Sequence, residues 1–267
     1  MTPVALTIAG SDPSGGAGIQ ADLKTFQQFG VYGMSAVSLL TVQNTQRVSS
    51  VDPLEPSYVR AQLEAVCSDI PPNAAKTGAL GSAGVIEAVA AWAEGIPFPL
   101  VVDPVMVSKH GAPLLAEEAQ AVLAKQLLPR AFLVTPNLPE AAALAGLDVT
   151  DLASMEEAAR RIAGLGPRAV LVKGGHLADD AVDVLFCEGR FERFAARRIA
   201  SRHTHGTGCT YSAAITAGLA KGHDLVSAVR AAKEYITNAI ATAPGLGHGC
   251  GPVNHGAPVN QEMKELP

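Results

Sequence analysis

Short apolar runs alternate with amphipathic segments along this chain, and no other feature of the sequence constrains the fold more strongly. Each run is bounded by glycine or polar residues and is too short for a buried helix, so each is predicted as a buried strand. The predicted strands are Val4–Ala9, Ala36–Val42, Ala74–Thr77, Leu100–Val102, Phe132–Val134 and Ala169–Val172. Uniformly apolar strands separated by helices are typical of parallel sheets covered on both faces. The sequence therefore predicts an α/β fold with a mostly parallel central sheet flanked by helices on both faces.

The segments between these runs are predicted as helices. Their predicted ranges are Ile19–Phe29, Pro56–Ile70, Ala83–Trp92, Glu117–Leu128, Ser154–Leu165, Thr210–Ala220 and Leu225–Ala243. Ser154 and Glu157 have the spacing of a capping box at the start of their helix. Two further runs, Val182–Cys187 and Arg190–Ala196, flank a Glu-Gly pair as in a hairpin. Because no linker, repeat or low-complexity insert interrupts the pattern, we expect residues 1–267 to form a single domain.

Composition excludes several classes of protein. The net charge of −5 argues against a general nucleic-acid binder. The four cysteines lie far apart without CxxC spacing, which predicts a cytoplasmic protein without a disulfide framework. No apolar run approaches the ~18 residues of a membrane span. No basic residue precedes Lys24, so we expect no secretory signal.

Polar residues and glycines follow the predicted strands, at the point where each strand ends. They are Gly10, Asp12, Gln43, Asp103, Asn137, Glu140, Lys173 and His176. In open α/β sheets, ligands bind along the edge formed by the carboxyl ends of the strands. We therefore expect these residues to meet at one small-molecule site.

A glycine-rich turn, Gly206-Thr207-Gly208-Cys209, precedes a predicted buried helix. The free amides and the positive dipole end of a helix N-terminus form a ready anion site, and phosphate is the commonest anion bound there. The same position lowers the pKa of a thiol, so Cys209 is a candidate thiolate. The alternative is a plain glycine turn carrying an inert, buried cysteine.

A second glycine-rich segment follows the first predicted strand. Residues 16–21 match GxGxxA formally, but they lie too far from the strand end for a dinucleotide fingerprint, and no acid follows near twenty residues on. We interpret the segment as a loop that lets a small ligand approach the backbone. Asp22, in the predicted first turn of the helix, is either a dipole-compensating acid or a ligand contact. Ser108–Pro113 is a candidate flexible flap.

Several strings of the sequence, in register over essentially the whole chain, resemble one known family. They are AGSDPSGGAGIQADLK (9–24), VQNT (42–45), VDPVM (102–106), TPNLPE (135–140), VKGGH (172–176), HGTGCT (205–210) and GPVNH (251–255). The family is the hydroxymethylpyrimidine/phosphomethylpyrimidine kinases of thiamin biosynthesis, in the ribokinase-like superfamily. The resemblance implies an ATP- and Mg²⁺-dependent kinase that phosphorylates 4-amino-5-hydroxymethyl-2-methylpyrimidine and then its monophosphate. A homodimer is also implied.

The resemblance implies roles for individual residues. Gln43 would bind the pyrimidine, because its side-chain amide can pair with an amino group and a ring nitrogen. Around it, Gly10, Ala17 and Asp22 would line the pocket. The remaining implied roles are phosphoryl binding by Gly206, Thr207 and Gly208, catalysis by Cys209, nucleotide or phosphate contact by Asn137 and Lys173, and Mg²⁺ binding by Asp103 and Glu140. From the residues alone, strand-end or helix capping remains open for Gln43, Asn137, Asp103 and Glu140, and a surface position for Lys173.

Two departures from related sequences bear on activity. Cys209 stands where the superfamily usually has an aspartate base, so it is either the base or an element of the anion site. Ala79 stands where the family commonly has Met, which widens the expected pocket and leaves activity on pyridoxal open. The main alternative is a pyridoxal/pyridoxine kinase on the same fold. An ATP-dependent dehydratase and a vitamin-binding protein without catalysis are further alternatives.

A zinc site is the remaining chemical alternative. His203, His205, His248, Cys250 and His255 lie in the last quarter of the chain, and Cys250 and His255 have loose ligand spacing. No second cysteine completes a structural tetrahedron, which argues against zinc.

Overall fold

A computed structural model describes residues 2–107, 111, 114–175 and 180–260. Within these residues the strands form one sheet in the order β3-β2-β1-β4-β5-β6-β7-β8-β9. The strands are β1 (Val4–Ser11), β2 (Tyr32–Gln43), β3 (Val48–Pro53), β4 (Ala74–Thr77), β5 (Leu100–Val102), β6 (Leu133–Val134), β7 (Ala169–Val172), β8 (Ala181–Cys187) and β9 (Arg190–Ala196). The pairs from β2 to β7 are parallel, and β3, β8 and β9 are antiparallel additions at the two edges. The predicted, mostly parallel sheet is confirmed.

Helices cover both faces of the sheet. They are α1 (Gly18–Gln28), α2 (Pro56–Asp69), α3 (Ala83–Trp92), α4 (Glu117–Val122), α5 (Leu138–Ala145), α6 (Leu152–Ala163), α7 (Thr207–Ala220) and α8 (Leu225–Ala241). After α4 the chain continues through a π-helical turn, Leu123–Leu127, and a 3₁₀ turn, Leu128–Arg130. In the part of the chain that the structure describes, no helix is long and apolar enough to cross a membrane.

Two hydrophobic cores result, one on each face of the sheet. Residues of α1, α7 and α8 pack on one face, and residues of α2 to α6 pack on the other. Successive strand residues point to opposite faces, so Ala5 and Leu6 of β1 belong to different cores. This two-sided burial explains why the central strands are apolar at nearly every position.

Several predicted boundaries differ from the structure. Strand β3 and helix α5 were not predicted, and α7 begins at Thr207 rather than at residue 210. The predicted capping box of Ser154 and Glu157 is wrong, because Asp151 is the N-cap residue and accepts from the Ser154 amide at 2.8 Å. The Glu188-Gly189 hairpin is confirmed. Both residues have positive φ, 51° and 76°, as a two-residue turn with the twist of the strands requires.

Candidate active site

The glycine turn forms the N-terminus of α7, as predicted. Gly206 is the N-cap residue and adopts a left-handed conformation, with φ 79° and ψ 5°. A Cβ at this position would overlap the Gly16 carbonyl oxygen, so only glycine fits. The turn is held by the Thr207 hydroxyl, which donates to the Thr204 carbonyl at 2.7 Å. The amides of Gly208 and Cys209 lie in the first helical turn, where no preceding turn supplies a carbonyl acceptor.

An acid and a lysine lie against this turn. Asp103 follows β5 and Lys173 follows β7, and the lysine Nζ donates to Asp103 Oδ1 at 2.8 Å. The Thr135 hydroxyl donates to the same oxygen at 3.2 Å. A Cβ on Gly208 would lie 3.5 Å from Lys173 Nζ and 3.6 Å from Asp103 Oδ2. The carboxyl ends of two parallel strands thus bring opposite charges to the predicted anion site.

Asn137 and Glu140 cap helix α5, which the sequence left open as their alternative role. The Glu140 amide donates to Asn137 Oδ1, and the Asn137 amide donates to Glu140 Oε2, both at 2.9 Å. Burial raises the pKa of Glu140 to about 7, against the attraction of Lys173, while Asp103 adds to the rise. Glu140 is therefore a helix cap and also a buried acid with a raised pKa, which interacts with the charges of Lys173 and Asp103.

We expect Glu140→Gln to be more stable than the parent protein above pH 7. A folded-state pKa raised from 4.5 to about 7 stabilises the protein at low pH, and this contribution is lost as the pH rises through that interval. At 1.36 kcal/mol per pKa unit the loss is about 3 kcal/mol, which a glutamine does not incur. Urea unfolding of both proteins near pH 5 and pH 8 measures it. A stability difference that is the same at both pH values would contradict the expectation.

A fully buried ion pair lies beneath the site, and sequence reasoning missed it. Lys76 of β4 donates from Nζ to Asp22 Oδ2 at 2.7 Å, and the Thr7 hydroxyl donates to the same oxygen at 2.6 Å. Neither charged side chain has exposed surface. A lysine inside an apolar strand was the available signal. Asp22 was predicted in the first turn of its helix. The helix α1 begins at Gly18, so Asp22 is its fifth residue and lies beyond the first turn.

The loop after β1 is organised by Asp12, which the sequence placed at the site without a role. Its carboxylate accepts from the amides of Gly16 at 3.0 Å and Ala17 at 2.8 Å, and from His205 Nε2 at 2.8 Å. Burial opposes ionisation, but the hydrogen bond from His205 and others, including one from Gln43, hold the pKa of Asp12 well below its usual range. The predicted pyrimidine-binding residues Gln43 and Ala17 therefore lie together with the glycine turn.

The expected low pKa of Cys209 is wrong. Burial raises the pKa of the thiol to about 12, and the carboxylates of Asp22 and Asp103 add to the rise. Lys76 and the Gly18 amide lower it, but by less than the other groups raise it. Desolvation and two acids thus outweigh Lys76 and the Gly18 amide, and the thiol is protonated at neutral pH.

Gly10 is buried beside the site, and two other predicted features lie wholly or mostly outside the described residues. Gly10 is buried at the end of β1, where a Cβ would overlap the Leu39 side chain. His176 and most of the candidate flap, residues 108–110 and 112–113, are outside the described residues. Across the described ranges, no three His, Cys, Asp or Glu side chains are grouped as metal ligands would be, so the zinc alternative has no support. Cys250 instead donates from Sγ to the Arg202 carbonyl.

Comparison with known proteins finds relatives over nearly the whole chain. A family model described as phosphomethylpyrimidine kinase matches residues 12–254. The thiamine biosynthesis bifunctional protein ThiED of Geobacter sulfurreducens is 54% identical over 252 residues, 94% of this chain. The chain spans 51% of that longer protein. A hydroxymethylpyrimidine/phosphomethylpyrimidine kinase of Streptomyces coelicolor is 50% identical over 254 residues, 95% of this chain and 94% of that one.

A solved structure shows the same fold. An ADP complex of Bacillus subtilis pyridoxal kinase matches with a TM-score of 0.89 and 42% identity, covering 96% of this chain and 98% of that one. The expected ribokinase-like architecture is thereby confirmed. From the matched family model and from relatives similar over nearly the whole chain, it follows that this protein belongs to the phosphomethylpyrimidine kinase family.

Proposed function

We propose that this chain is an ATP- and Mg²⁺-dependent kinase of thiamin biosynthesis. It phosphorylates the hydroxymethyl group of 4-amino-5-hydroxymethyl-2-methylpyrimidine and then converts the monophosphate to the diphosphate. One observation carries the proposal: the glycine turn at the N-terminus of α7 lies between the Asp103–Lys173 pair and the loop of Asp12. Phosphoryl transfer requires such positioning and charge neutralisation more than covalent chemistry. The names of the relatives support the choice of substrate.

The pyrimidine binds at the Asp12 side of the turn. Gln43, beside Asp12, recognises the aminopyrimidine edge with one acceptor and one donor group. The backbone at Gly10 and Ala17 forms the wall of the pocket. Asp22 supports the pocket from below. It has no exposed surface and is the charge partner of Lys76.

The nucleotide binds at the Lys173 side. The amides of the Gly206–Cys209 turn hold the transferring phosphoryl group, and Lys173 and Asn137 contact the neighbouring phosphates. A cleft of about 320 Å³ beside this region is lined by Ala195, Ala196, Lys233, Glu234, Thr237 and Asn238. Asp183 connects this cleft to the segment that carries Lys173, since it accepts from the Gly174 amide at 2.9 Å and from Lys233 Nζ at 2.7 Å. We assign this cleft to the rest of the nucleotide.

Asp103 and Glu140 fit a Mg²⁺ ion that arrives with the nucleotide. Carboxylate oxygens are the ligands this ion prefers, and it is commonly held by one or two of them together with substrate phosphates. Asp103 Oδ2 is free to act as a ligand, since its one described hydrogen bond, from Ser212, is long at 3.4 Å. When bound, the ion neutralises charge on the phosphates.

The decisive experiment is a turnover assay of the pure protein with MgATP and either hydroxymethylpyrimidine or pyridoxal, with mono- and diphosphate products resolved. We expect both pyrimidine phosphates to form, and no turnover once EDTA removes the metal. Pyridoxal kinase activity is the second candidate, because a pyridoxal kinase shares the fold and Ala79 widens the expected pocket. Turnover of pyridoxal alone would replace the proposed function with this second one.

We further propose that the protein is a homodimer, as the family resemblance implies. Leu40 and Val42 of β2 are exposed at 49% and 60%, beside the edge strand β3. A second copy would cover this apolar surface. We expect sedimentation to show a dimer, and Val42→Glu to weaken it. A monomeric parent protein at micromolar concentration would contradict the proposal.

A further inference from the structure

The carboxylate of Asp12 holds the loop that follows β1, residues 12–17, which we call the substrate loop. Its Oδ1 accepts from the Ser14 amide at 2.8 Å and from the Ser14 hydroxyl at 2.7 Å. Its Oδ2 accepts from the amides of Gly16 and Ala17. Asp12 is 1% exposed, so these bonds form away from water. The shape of the substrate loop therefore depends on this one side chain.

His205 joins the substrate loop to the glycine turn. Its Nε2 donates to Asp12 Oδ2 at 2.8 Å, and it directly precedes Gly206 in the chain. Its backbone is anchored on the other side, because the His205 amide donates to the Gly251 carbonyl at 3.0 Å and the Val253 amide donates to the His205 carbonyl at 3.2 Å. The histidine thus connects residues 251–253, the glycine turn and the substrate loop.

The backbones of the two loops also touch. No Cβ fits at Gly206 because of the Gly16 carbonyl, and a Cβ at Gly16 would meet the His205 ring. Neither loop can shift far without moving the other. Gln43 adds the pyrimidine side to this unit, since its side chain lies near enough to Asp12 to help lower the pKa of that carboxyl.

We propose that Asp12 and His205 are a positioning pair that couples pyrimidine binding to nucleotide binding. The inference rests on the proposed function and adds a property to it. A pyrimidine that orders the substrate loop also orders the glycine turn through this hydrogen bond, so the nucleotide phosphates bind a turn already in place. Thermodynamic linkage requires the effect to be reciprocal: each ligand strengthens the other by the same factor.

Isothermal titration calorimetry of the full chain tests the coupling. Hydroxymethylpyrimidine is titrated with and without saturating AMP-PCP and Mg²⁺, and the ratio of the two dissociation constants is the coupling factor. We expect a factor of about 5 or more in the parent protein, within the usual range for coupled sites. His205→Phe keeps a ring over Gly16 but cannot donate, so its factor falls to about 1.

Two further variants separate positioning from a general structural role. His205→Gln places an amide donor at a reach similar to that of Nε2, and it should retain most of the coupling. His223→Phe is the matched control, because His223 follows the C-terminal end of α7, at the opposite end of the helix from the glycine turn; its coupling should equal that of the parent protein. If His205→Phe does not fold, His205→Asn, whose amide is too short to reach Asp12, replaces it with the same expected loss.

A parent protein with a coupling factor of 1 would overturn the proposal. So would a folded His205→Phe protein with the parent's factor, or equal losses in the glutamine and phenylalanine variants. Failure of the proposed function looks different, because the pyrimidine would then not bind to any of the proteins.

Discussion

Cys209→Ala is expected to lower kcat about 100-fold or more while KM for the pyrimidine stays within about threefold. The size follows from the usual contribution of a general base to a proton-transfer step. Cys209 stands at the glycine turn, beside the charges of Asp22, Lys76 and Asp103. In the proposed mechanism the thiol acts only during the reaction, so its loss leaves the proposed pyrimidine-binding groups in place. Steady-state kinetics with the pure variant measures both constants.

The pH profile shows how Cys209 acts. With the pKa of the thiol raised to about 12, the thiolate fraction grows about tenfold per pH unit across the neutral range. If Cys209 is the base, kcat rises with pH more steeply in the parent protein than in the alanine variant, which keeps only the titration of Glu140. If the thiol only shapes the anion site, Cys209→Ser keeps most of the activity.

Cys187→Ala is the matched control for the thiol substitution. Cys187 is the last residue of β8 and pairs with Ala169, the first residue of β7, so it lies at the end of the sheet away from the site. Burial raises the pKa of its thiol too. Its removal should leave kcat unchanged. Parent-like turnover in Cys209→Ala would exclude a catalytic role for the thiol.

Lys76→Met is expected to destabilise the protein by about 3–5 kcal/mol at neutral pH. Removing one partner of a buried ion pair leaves the other charge desolvated and uncompensated. Lys76 and Asp22 have no exposed surface, and one oxygen of Asp22, Oδ1, has no hydrogen-bond partner among the described residues. Urea unfolding monitored by circular dichroism gives the difference in unfolding free energy.

The pH dependence and a double variant make this test specific. Burial raises the pKa of Asp22, so its contribution to stability is greatest at low pH and is lost as the pH rises; without Lys76 this loss is larger. Lys76→Met should therefore lower the free energy of unfolding less near pH 4 than near pH 8.

The double variant Lys76→Met with Asp22→Asn should recover much of the lost stability. Arg60→Ala, which breaks an exposed pair with Glu64, should change stability by less than about 1 kcal/mol. A pH-independent or similarly small loss in Lys76→Met would contradict the expectation.

Most of the sheet was predictable because its central strands are buried on both faces. Each strand from Ala74–Thr77 to Ala169–Val172 appears in the sequence as a short apolar run. Strand β3 was missed because it is a half-exposed edge strand with serine, aspartate and proline. Helix α5 was missed because its eight residues are too few to show a clear helical period.

The candidate site was predictable in its position but not in its charges. The ends of parallel strands meet at one edge, so Gln43, Asp103 and Lys173 were expected near the glycine turn. The partners of Asp12 and Asp22 could not be predicted. These residues pair with His205 and Lys76, which are 193 and 54 positions away in the chain. Local patterns carry no information on such pairs.

By itself, the sequence determined the alternation of strands and helices, the family, and the glycine that starts α7, since each depends on neighbouring residues and on the conformations open to glycine. Only the tertiary structure decided the protonation of Cys209, the burial of Lys76 with Asp22, and the hydrogen bond between Asp12 and His205. Desolvation and charge pairing act through space between distant parts of the chain, and they appear only when the sheet brings those parts together.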